Sequence, residues 1–192
     1  IRDARAVDKV VRGADVILHH AAMASVPKSI ENPREAHEVN VTGFLNVLEA
    51  ARTHQVKRVV YASSSAVYGD HPAATKTEND LGALLSPYAA SKRVNEIYAE
   101  QYARHYGLET VGFRYFNIFG TRQDPEGAYA AVIPKWVQAI KAGQPMIVFG
   151  DGSSTRDFIH VRDVAAANLR VGLVQEGKAL KGQVFNICSG TE

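Results

Sequence analysis

The sequence has little cysteine, no excess of charge of one sign and no long apolar run. Among its 192 residues Cys188 is the single cysteine, so no internal disulfide can form, as is typical of a protein from a reducing cytoplasm. With 22 Lys and Arg against 20 Asp and Glu, the formal net charge is +2, and no block of like charge favours a nucleic-acid or acidic membrane partner. No apolar run reaches the length of a membrane span, and no His or Cys spacing predicts a metal site.

An initiator methionine is also absent. The sequence opens at Ile1, and its methionines are Met23 and Met146. The opening residues do not form the basic head and apolar stretch of a signal peptide. We therefore expect either a processed protein or a piece of a longer one.

Short apolar runs alternate with longer helical patterns, which predicts an α/β fold built on a largely parallel sheet. Strands are predicted at 14–19, 58–62, 110–115, 146–149, 158–161 and 184–187. Helices are predicted at 32–53, 87–105, 132–142 and 163–174. The polar stretches 69–86 and 117–127 are predicted to be loops, and loops of this length in compact domains are usually functional or disordered.

Tyr88 and Lys92 are the most specific feature of the sequence, because residues four apart on a helix share one face. A tyrosine in water titrates far above neutral pH, but a fixed ammonium one turn away favours the phenolate. Such a tyrosine could take a proton from a substrate hydroxyl. Pairs of this kind also occur by chance, as a surface lysine beside a half-buried tyrosine, so the pair alone does not establish a catalytic role.

Ser63, Ser64 and Ser65 follow the predicted strand 58–62. Open parallel sheets place ligand-contacting groups at the carboxyl ends of their strands, so a hydroxyl there could reach the oxygen that Tyr88 deprotonates. An ordinary polar loop is the alternative for the serines by themselves. The serine run together with Tyr88 and Lys92 favours a catalytic site.

These motifs belong to an ordered series that covers essentially the whole chain: HHAAMASVPKSIENP, NVTGFLNVLEAAR, YASSSAVYGDHP, SPYAASK, RYFNIFGTRQDPEGAYAAVIPKW and GDGSSTRDFIHV. On these segments the chain resembles the extended short-chain dehydrogenase/reductase family, specifically the nucleotide-sugar 4-epimerases, and most of all the bacterial UDP-N-acetylhexosamine 4-epimerases that feed polysaccharide synthesis. The resemblance implies a Rossmann-type doubly wound parallel sheet, expected here to be incomplete because its first βαβ units are missing, with a small mixed α/β substrate-binding lobe. It also implies NAD as cofactor and a UDP-sugar as substrate.

The resemblance implies a role for each matching residue. Tyr88 would be the catalytic base, Lys92 its activator, and Ser64 the hydroxyl that bonds the substrate's 4-oxygen. Contact with NAD is also implied for His20, Ala21, Ala22, Asn40, Ser63, Tyr115 and Phe116. Contact with the UDP-sugar is implied for Ser25, Ser65, Asn117, Val132, Phe149 and Arg156, with Ser65 in the same pocket as Ser64. For Arg156 the alternative is a surface ion pair with Asp151 or Asp157.

The resemblance further implies a division of the chain. Residues 1–116 and 157–182 would belong to the NAD-binding domain, and residues 117–156 and 183–192 to the substrate domain. Helices 33–53 and 88–105 would form the interface of a homodimer. A cytoplasmic location is expected, without metal, nucleic-acid or membrane partners.

Related dehydratases carry an Asp-Glu pair, and decarboxylases a Glu, just after the catalytic Ser or Thr, where this chain has Ser65 and Ala66. Epimerisation is therefore favoured over elimination or decarboxylation. The family's Gly-x-x-Gly-x-x-Gly turn, which receives the pyrophosphate at a helix N-terminus, does not occur in this sequence. We therefore expect an internal fragment that binds NAD poorly and is inactive alone. The alternative is a non-catalytic binding module.

Overall fold

A computed structural model describes residues 1–126, 132–148, 150–174 and 180–191. The strands are β1 (Val16–His19), β2 (Arg58–Ala62), β3 (Glu109–Tyr115), β4 (Asn117–Phe119), β5 (Phe158–His160) and β6 (Gln183–Ile187). Four of them form a parallel sheet in the order β1-β2-β3-β6, and β4 pairs with β5 in a second, two-stranded parallel sheet. The predicted α/β fold with a parallel sheet is confirmed.

The helices are α1 (Ala4–Val11), α2 (Val26–Glu31), α3 (Pro33–His37), α4 (Gly43–Thr53), α5 (Pro87–Tyr106), α6 (Val132–Lys141) and α7 (Val161–Leu173). A π-helical segment, Glu38–Thr42, joins α3 to α4, and a 3₁₀ turn, Ser65–Tyr68, follows β2. Ser86 caps the start of α5 by accepting the N–H of Ala89, and Gly107, at φ +75°, ends it.

Helices cover both faces of the main sheet, because successive residues of a strand point to opposite sides. Val59 and Tyr61 of β2 pack among α1, α4 and α5. Val60 lies on the other face with Val111 and Phe113 of β3, against the side chains of α7. This arrangement is the doubly wound, Rossmann-type sheet expected from the sequence.

The strand predicted at 146–149 is wrong for residues 146–148, which have no regular structure, and Phe149 lies outside the described residues. Met146, Ile147 and Val148 are at least half exposed, and Trp136 Nε1 donates to the Ile147 carbonyl. No strand in the described residues pairs with this run, so its apolar composition alone does not make it a strand. The predicted loop 117–127, conversely, contains β4.

The sequence prediction also missed α1 and α2. Asp3 caps α1 by accepting the N–H groups of Arg5 and Ala6, and Ser25 caps α2. None of the described helices has the length and apolarity to cross a membrane. No group of three or more His, Cys, Asp or Glu side chains within the described ranges could hold a metal ion.

Candidate active site

A cavity of about 670 Å³ opens at the carboxyl ends of β1, β2 and β3. This volume lies in the range of small-molecule and cofactor sites. Most of the residues predicted to bind the cofactor or to act in catalysis line it: His20, Ala22, Ser63, Ser64, Tyr88, Lys92, Tyr115 and Phe116. The fold therefore brings together side chains that lie up to 96 positions apart along the chain.

Lys92 lies one turn beyond Tyr88 on α5. Its Nζ donates to the carbonyl of Ala62 at the end of β2 (2.8 Å) and lies 5.9 Å from the centroid of the Tyr88 ring. Lys92 is 3% exposed, and burial lowers its pKa to about 8. The side chain therefore remains mainly an ammonium ion at neutral pH, held at a fixed position beside Tyr88.

The backbone of Tyr88 is itself anchored. Its N–H donates to Ser29 Oγ (3.0 Å), and Ser29 in turn donates to the carbonyl of Val26. Ser29 is fully buried. The first turn of α5 is thus fastened to α2.

The three consecutive serines have three different environments. Ser63 is buried, and its hydroxyl donates to Glu96 Oε1 (2.5 Å). Ser64 Oγ accepts the N–H of Ala66 (3.1 Å), which leaves its own proton for donation into the cavity. Ser65 lines a second cavity and not the first. Ser64 is thus the serine whose hydroxyl stands beside Tyr88 and Lys92 in one cavity.

Asn40, predicted to contact NAD, is buried, does not line the cavity and holds the segment that follows β1. Its Oδ1 accepts the N–H of Met23 (2.7 Å), and its Nδ2 donates to the Met23 carbonyl (3.1 Å) and to Ser91 Oγ (3.0 Å). Ser25 is buried as the cap of α2. Neither Ser25 nor Ala21 is among the residues that line the two cavities.

The cavity lining also contains a hydrogen-bonded chain of His20, Tyr115 and Asn168. His20 Nε2 lies 3.0 Å from the Tyr115 hydroxyl, to which Asn168 Nδ2 donates (2.8 Å). Burial raises the pKa of Tyr115 to about 12, and desolvation lowers the pKa of His20. Both groups are therefore neutral at pH 7, so neither one supplies charge to the cavity.

Sequence reasoning missed the wall contributed by α7. Its lining residues recur at helical spacing: Val161, Val164, Ala165, Asn168 and Leu169. This i, i+3, i+4, i+7, i+8 stripe was the available signal, but it does not distinguish a cavity wall from a core. Leu18, Ala24, Ala62 and Ile118 complete the lining.

The second cavity, of about 540 Å³, shares Phe116 with the first. Ser65, Asn117 and Arg156 line it, together with the loop residues Gly69, Ala74, Thr75 and Lys76. Asn117 Nδ2 donates to the Asp157 carbonyl (3.1 Å). Within the described ranges, Arg156 makes no ion pair with Asp151 or Asp157.

The two remaining predicted substrate contacts are not in these walls. Val132 begins α6 and lines neither cavity. Phe149 lies outside the described residues. Their predicted contacts with the nucleotide stay predictions.

The sequence matches the NAD-dependent epimerase/dehydratase family over residues 1–188. The chain belongs to that family. A relative within it, the putative UDP-glucose 4-epimerase of Methanocaldococcus jannaschii, is 40% identical over 194 residues, which cover 100% of this chain and 61% of that protein.

Solved structures in the epimerase/dehydratase family have the same fold. The UDP-N-acetylglucosamine 4-epimerase from Methanobrevibacter ruminantium M1, in complex with UDP-N-acetylmuramic acid, is 38% identical with a TM-score of 0.90, over 96% of this chain and 58% of that one. The dTDP-glucose 4,6-dehydratase DesIV from Streptomyces venezuelae, with NAD bound, is 33% identical with a TM-score of 0.82, over 97% and 55%. The chain thus spans 55% to 61% of the length of these relatives.

Proposed function

We propose that the chain is the catalytic part of an NAD-dependent nucleotide-sugar 4-epimerase that inverts the C4 hydroxyl of a UDP-sugar. The observation that supports this most directly is the convergence of Tyr88, Lys92 and Ser64 on one cavity at the carboxyl edge of the sheet. These are the positions of the base, its activator and the hydrogen-bonding hydroxyl in the family pattern. Fold analogy alone would not support a specific reaction.

The first cavity suits the nicotinamide half of a dinucleotide. Leu18, Val164 and Leu169 supply apolar walls, and the ammonium of Lys92 lies at the end of β2. His20, Ala22, Ser63, Tyr115 and Phe116 would complete the contacts around the ring and its ribose. NAD, when bound, supplies an acceptor for the hydride of the sugar C4 and later returns that hydride.

Tyr88 would remove the proton of the 4-hydroxyl, and Lys92 would favour the phenolate form by its fixed positive charge. The Ser64 hydroxyl would donate to the 4-oxygen and orient it toward Tyr88. The 4-keto sugar would then turn over within the site so that the returning hydride reaches the other face of C4, and Tyr88 would give its proton back to the 4-oxygen. One base therefore serves both directions.

The second cavity would receive the nucleotide half of the substrate. A guanidinium is suited to paired hydrogen bonds with a diphosphate, and Arg156 lines this cavity beside Asn117 and Ser65. We propose UDP-N-acetylglucosamine/UDP-N-acetylgalactosamine or UDP-glucose/UDP-galactose as the substrate pair. The matched relatives include epimerases named for both classes.

The lining of the first cavity supports epimerisation over dehydration. A dehydratase or decarboxylase needs a further acid or base beside the 4-keto sugar. Among the described residues, no Asp or Glu lines the first cavity, and Ala66 has no ionisable group. The similarity to the dehydratase structure therefore supports a common fold and cofactor, but it does not support dehydration as the reaction of this chain.

The test is interconversion of UDP-glucose, UDP-N-acetylglucosamine and UDP-glucuronate by the product of the complete gene, with separation of the 4-epimers. We expect one of the first two pairs to equilibrate. Tyr88→Phe should lower kcat by about a hundredfold to ten-thousandfold, since general base catalysis typically contributes 10² to 10⁴, and the variant should melt like the wild type. Wild-type rates in Tyr88→Phe would refute the assigned base.

The same proposal includes a homodimer through residues 33–53 and 88–105, a cytoplasmic location and a role in polysaccharide synthesis. On α5, Ile97 is 45% exposed and Tyr98 39%, which supports an apolar contact there. Tyr102, in contrast, is buried and donates to Glu49. Sedimentation of wild type and Ile97→Glu would test the interface. The assignment of residues to two domains stays a prediction.

A further inference from the structure

A buried carboxylate, Glu96, lies one turn beyond Lys92 on the inner face of α5. Its side chain is 1% exposed. Arg114 donates to both of its oxygens, from Nε and Nη2 (2.9 Å each), and Ser63 Oγ donates to Oε1 (2.5 Å). Burial alone would raise the pKa of Glu96, but the hydrogen bonds from Arg114 and Ser63 hold it below the usual value. Glu96 is therefore an anion at neutral pH.

Lys92 and Glu96 contact consecutive residues at the end of β2. Lys92 Nζ bonds the carbonyl of Ala62, and Glu96 bonds the hydroxyl of Ser63. The next residue, Ser64, faces the first cavity. Two adjacent bonds thus hold this part of α5, the helix that carries Tyr88, against the strand end that carries Ser64.

Arg114 extends the contact of Glu96 to the second cavity. Its Nη1 donates to the Tyr68 hydroxyl (3.0 Å) and to the carbonyl of Glu78 (2.9 Å). Tyr68 in turn donates to Asn186 Oδ1 (2.6 Å), and Asn186 Nδ2 donates to the carbonyl of Lys76 (3.0 Å). The loop 69–86, part of which lines the second cavity, is thereby tied to β3 and β6.

We propose that Glu96 is a positioning residue for the reaction: through Ser63 it sets the distance between Tyr88 and Ser64, and through Arg114 it fixes the loop wall of the second cavity. This inference rests on the proposed 4-epimerase function. Glu96 touches neither cavity directly, because it is absent from both linings. Its effect on the reaction passes through Ser63 in one direction and through Arg114 in the other.

A purely structural ion pair is the competing explanation, and β3 offers a matched control. At the other end of β3, Glu109 pairs with the buried Arg58, far from the strand ends that line the cavities. Glu96→Gln and Glu109→Gln are the same chemical change. Both should lower stability, but only the first should change the kinetics.

The experiment compares kcat and KM of wild type, Glu96→Gln and Glu109→Gln in the product of the complete gene, at a temperature where circular dichroism shows all three folded. We expect Glu96→Gln to lower kcat by about tenfold or more, because misplacing reacting groups by about 1 Å can cost a hundredfold. Its KM should rise as well. Glu109→Gln should keep both constants at wild-type values.

Two further variants test the contact through Ser63 and the contact through Arg114 separately. They also keep the proposal testable if Glu96→Gln does not fold. Ser63→Ala should lower kcat more than it raises KM, because it frees the strand end beside Ser64. Asn186→Leu should raise KM more than it lowers kcat, because it frees the loop at Lys76. Unchanged constants in Ser63→Ala and Asn186→Leu, or equal kinetic losses in Glu96→Gln and Glu109→Gln, would overturn the proposal.

Amide hydrogen exchange separates this inference from the proposed function. If the wild type converts no nucleotide sugar, the proposed function fails, and exchange decides on Glu96 independently. Faster exchange at 63–68 and 69–86 in Glu96→Gln, but not in Glu109→Gln, supports the positioning role. Equal exchange in the two variants refutes it.

Discussion

A buried arginine pairs with a glutamate at each end of β3, and the two pairs contact different parts of the molecule. At the amino end, Arg58 donates to Glu109 (2.9 Å) and to the carbonyls of Val171 (2.5 Å) and Val174 (3.0 Å), where α7 ends. At the carboxyl end, the Arg114–Glu96 pair reaches a serine, a tyrosine and a loop that border the cavities. The Arg58–Glu109 pair bonds the carbonyls at the end of α7. The Arg114–Glu96 pair instead holds residues that border the two cavities.

The difference follows from where ligands bind in a parallel sheet. The carboxyl ends of the strands face the crevice that receives ligands, and the amino ends do not. A buried arginine at the amino end can therefore bond a carboxylate and backbone carbonyls without affecting a ligand site. The same group at the carboxyl end also determines where functional side chains stand.

Arg58→Met is the largest expected change in stability. The variant leaves the last carbonyls of α7 and the Glu109 carboxylate without their donor, and breaking a buried pair typically costs about 3 to 5 kcal/mol. Chemical denaturation should show a loss of that order, with kcat per folded molecule unchanged.

Arg104→Met is the control for Arg58→Met, because the Arg104–Glu100 pair is exposed on both sides and exposed pairs are worth at most about 1 kcal/mol. A loss below about 1 kcal/mol in Arg58→Met, or a loss of kcat, would remove the contrast between the two ends of β3.

Gly112→Ala tests the middle of β3. A Cβ at Gly112 would lie 2.5 Å from the Tyr61 hydroxyl and 2.6 Å from the ring carbon Cζ that carries it, and overpacking a core typically costs about 1 to 3 kcal/mol. We expect a loss of about 2 kcal/mol in denaturation, and a smaller loss when Tyr61→Leu has removed both atoms. Simple additivity of the two substitutions would show that the Tyr61 side chain is not the obstacle.

Lys92→Met should stabilise the fold while abolishing activity, because the wild type buries a charge for function. The folded pKa of about 8 lies below the ordinary 10.5. Above pH 8 the unfolded chain binds more protons, so wild-type stability rises with pH up to about 10.5. The free energy of unfolding of Lys92→Met should exceed that of the wild type by about 1 to 2 kcal/mol at pH 7. This figure already subtracts the lost hydrogen bond to the Ala62 carbonyl.

Urea unfolding at pH 7 and pH 9.5 measures the effect of Lys92→Met. The advantage of the variant should shrink at the higher pH, because the wild-type lysine then folds in its neutral form. A variant less stable than the wild type at pH 7 would show that the buried ammonium is not a burden on the fold.

Local patterns predicted much of this protein because they act over a few residues. The apolar run at 58–62 forms β2, as predicted. Ser86 and Gly107 cap α5 close to its predicted ends. The strand prediction for 146–148 was wrong because a strand also needs a pairing partner, which a local pattern does not supply. Similarly, the serine triplet by its own pattern indicated a site but not which serine lies in it, and Ser64 was assigned only through the family resemblance.

The sequence by itself determined that Tyr88 and Lys92 share a helix face, since helical spacing is a property of the local chain. Only the tertiary structure decided that Glu96, at the same spacing from Lys92, meets Ser63 and Arg114. That contact depends on the parallel pairing of β2 with β3 and on α5 covering them. Burial then makes the charges bind each other rather than water, and this environment exists only once the sheet and its helices have assembled.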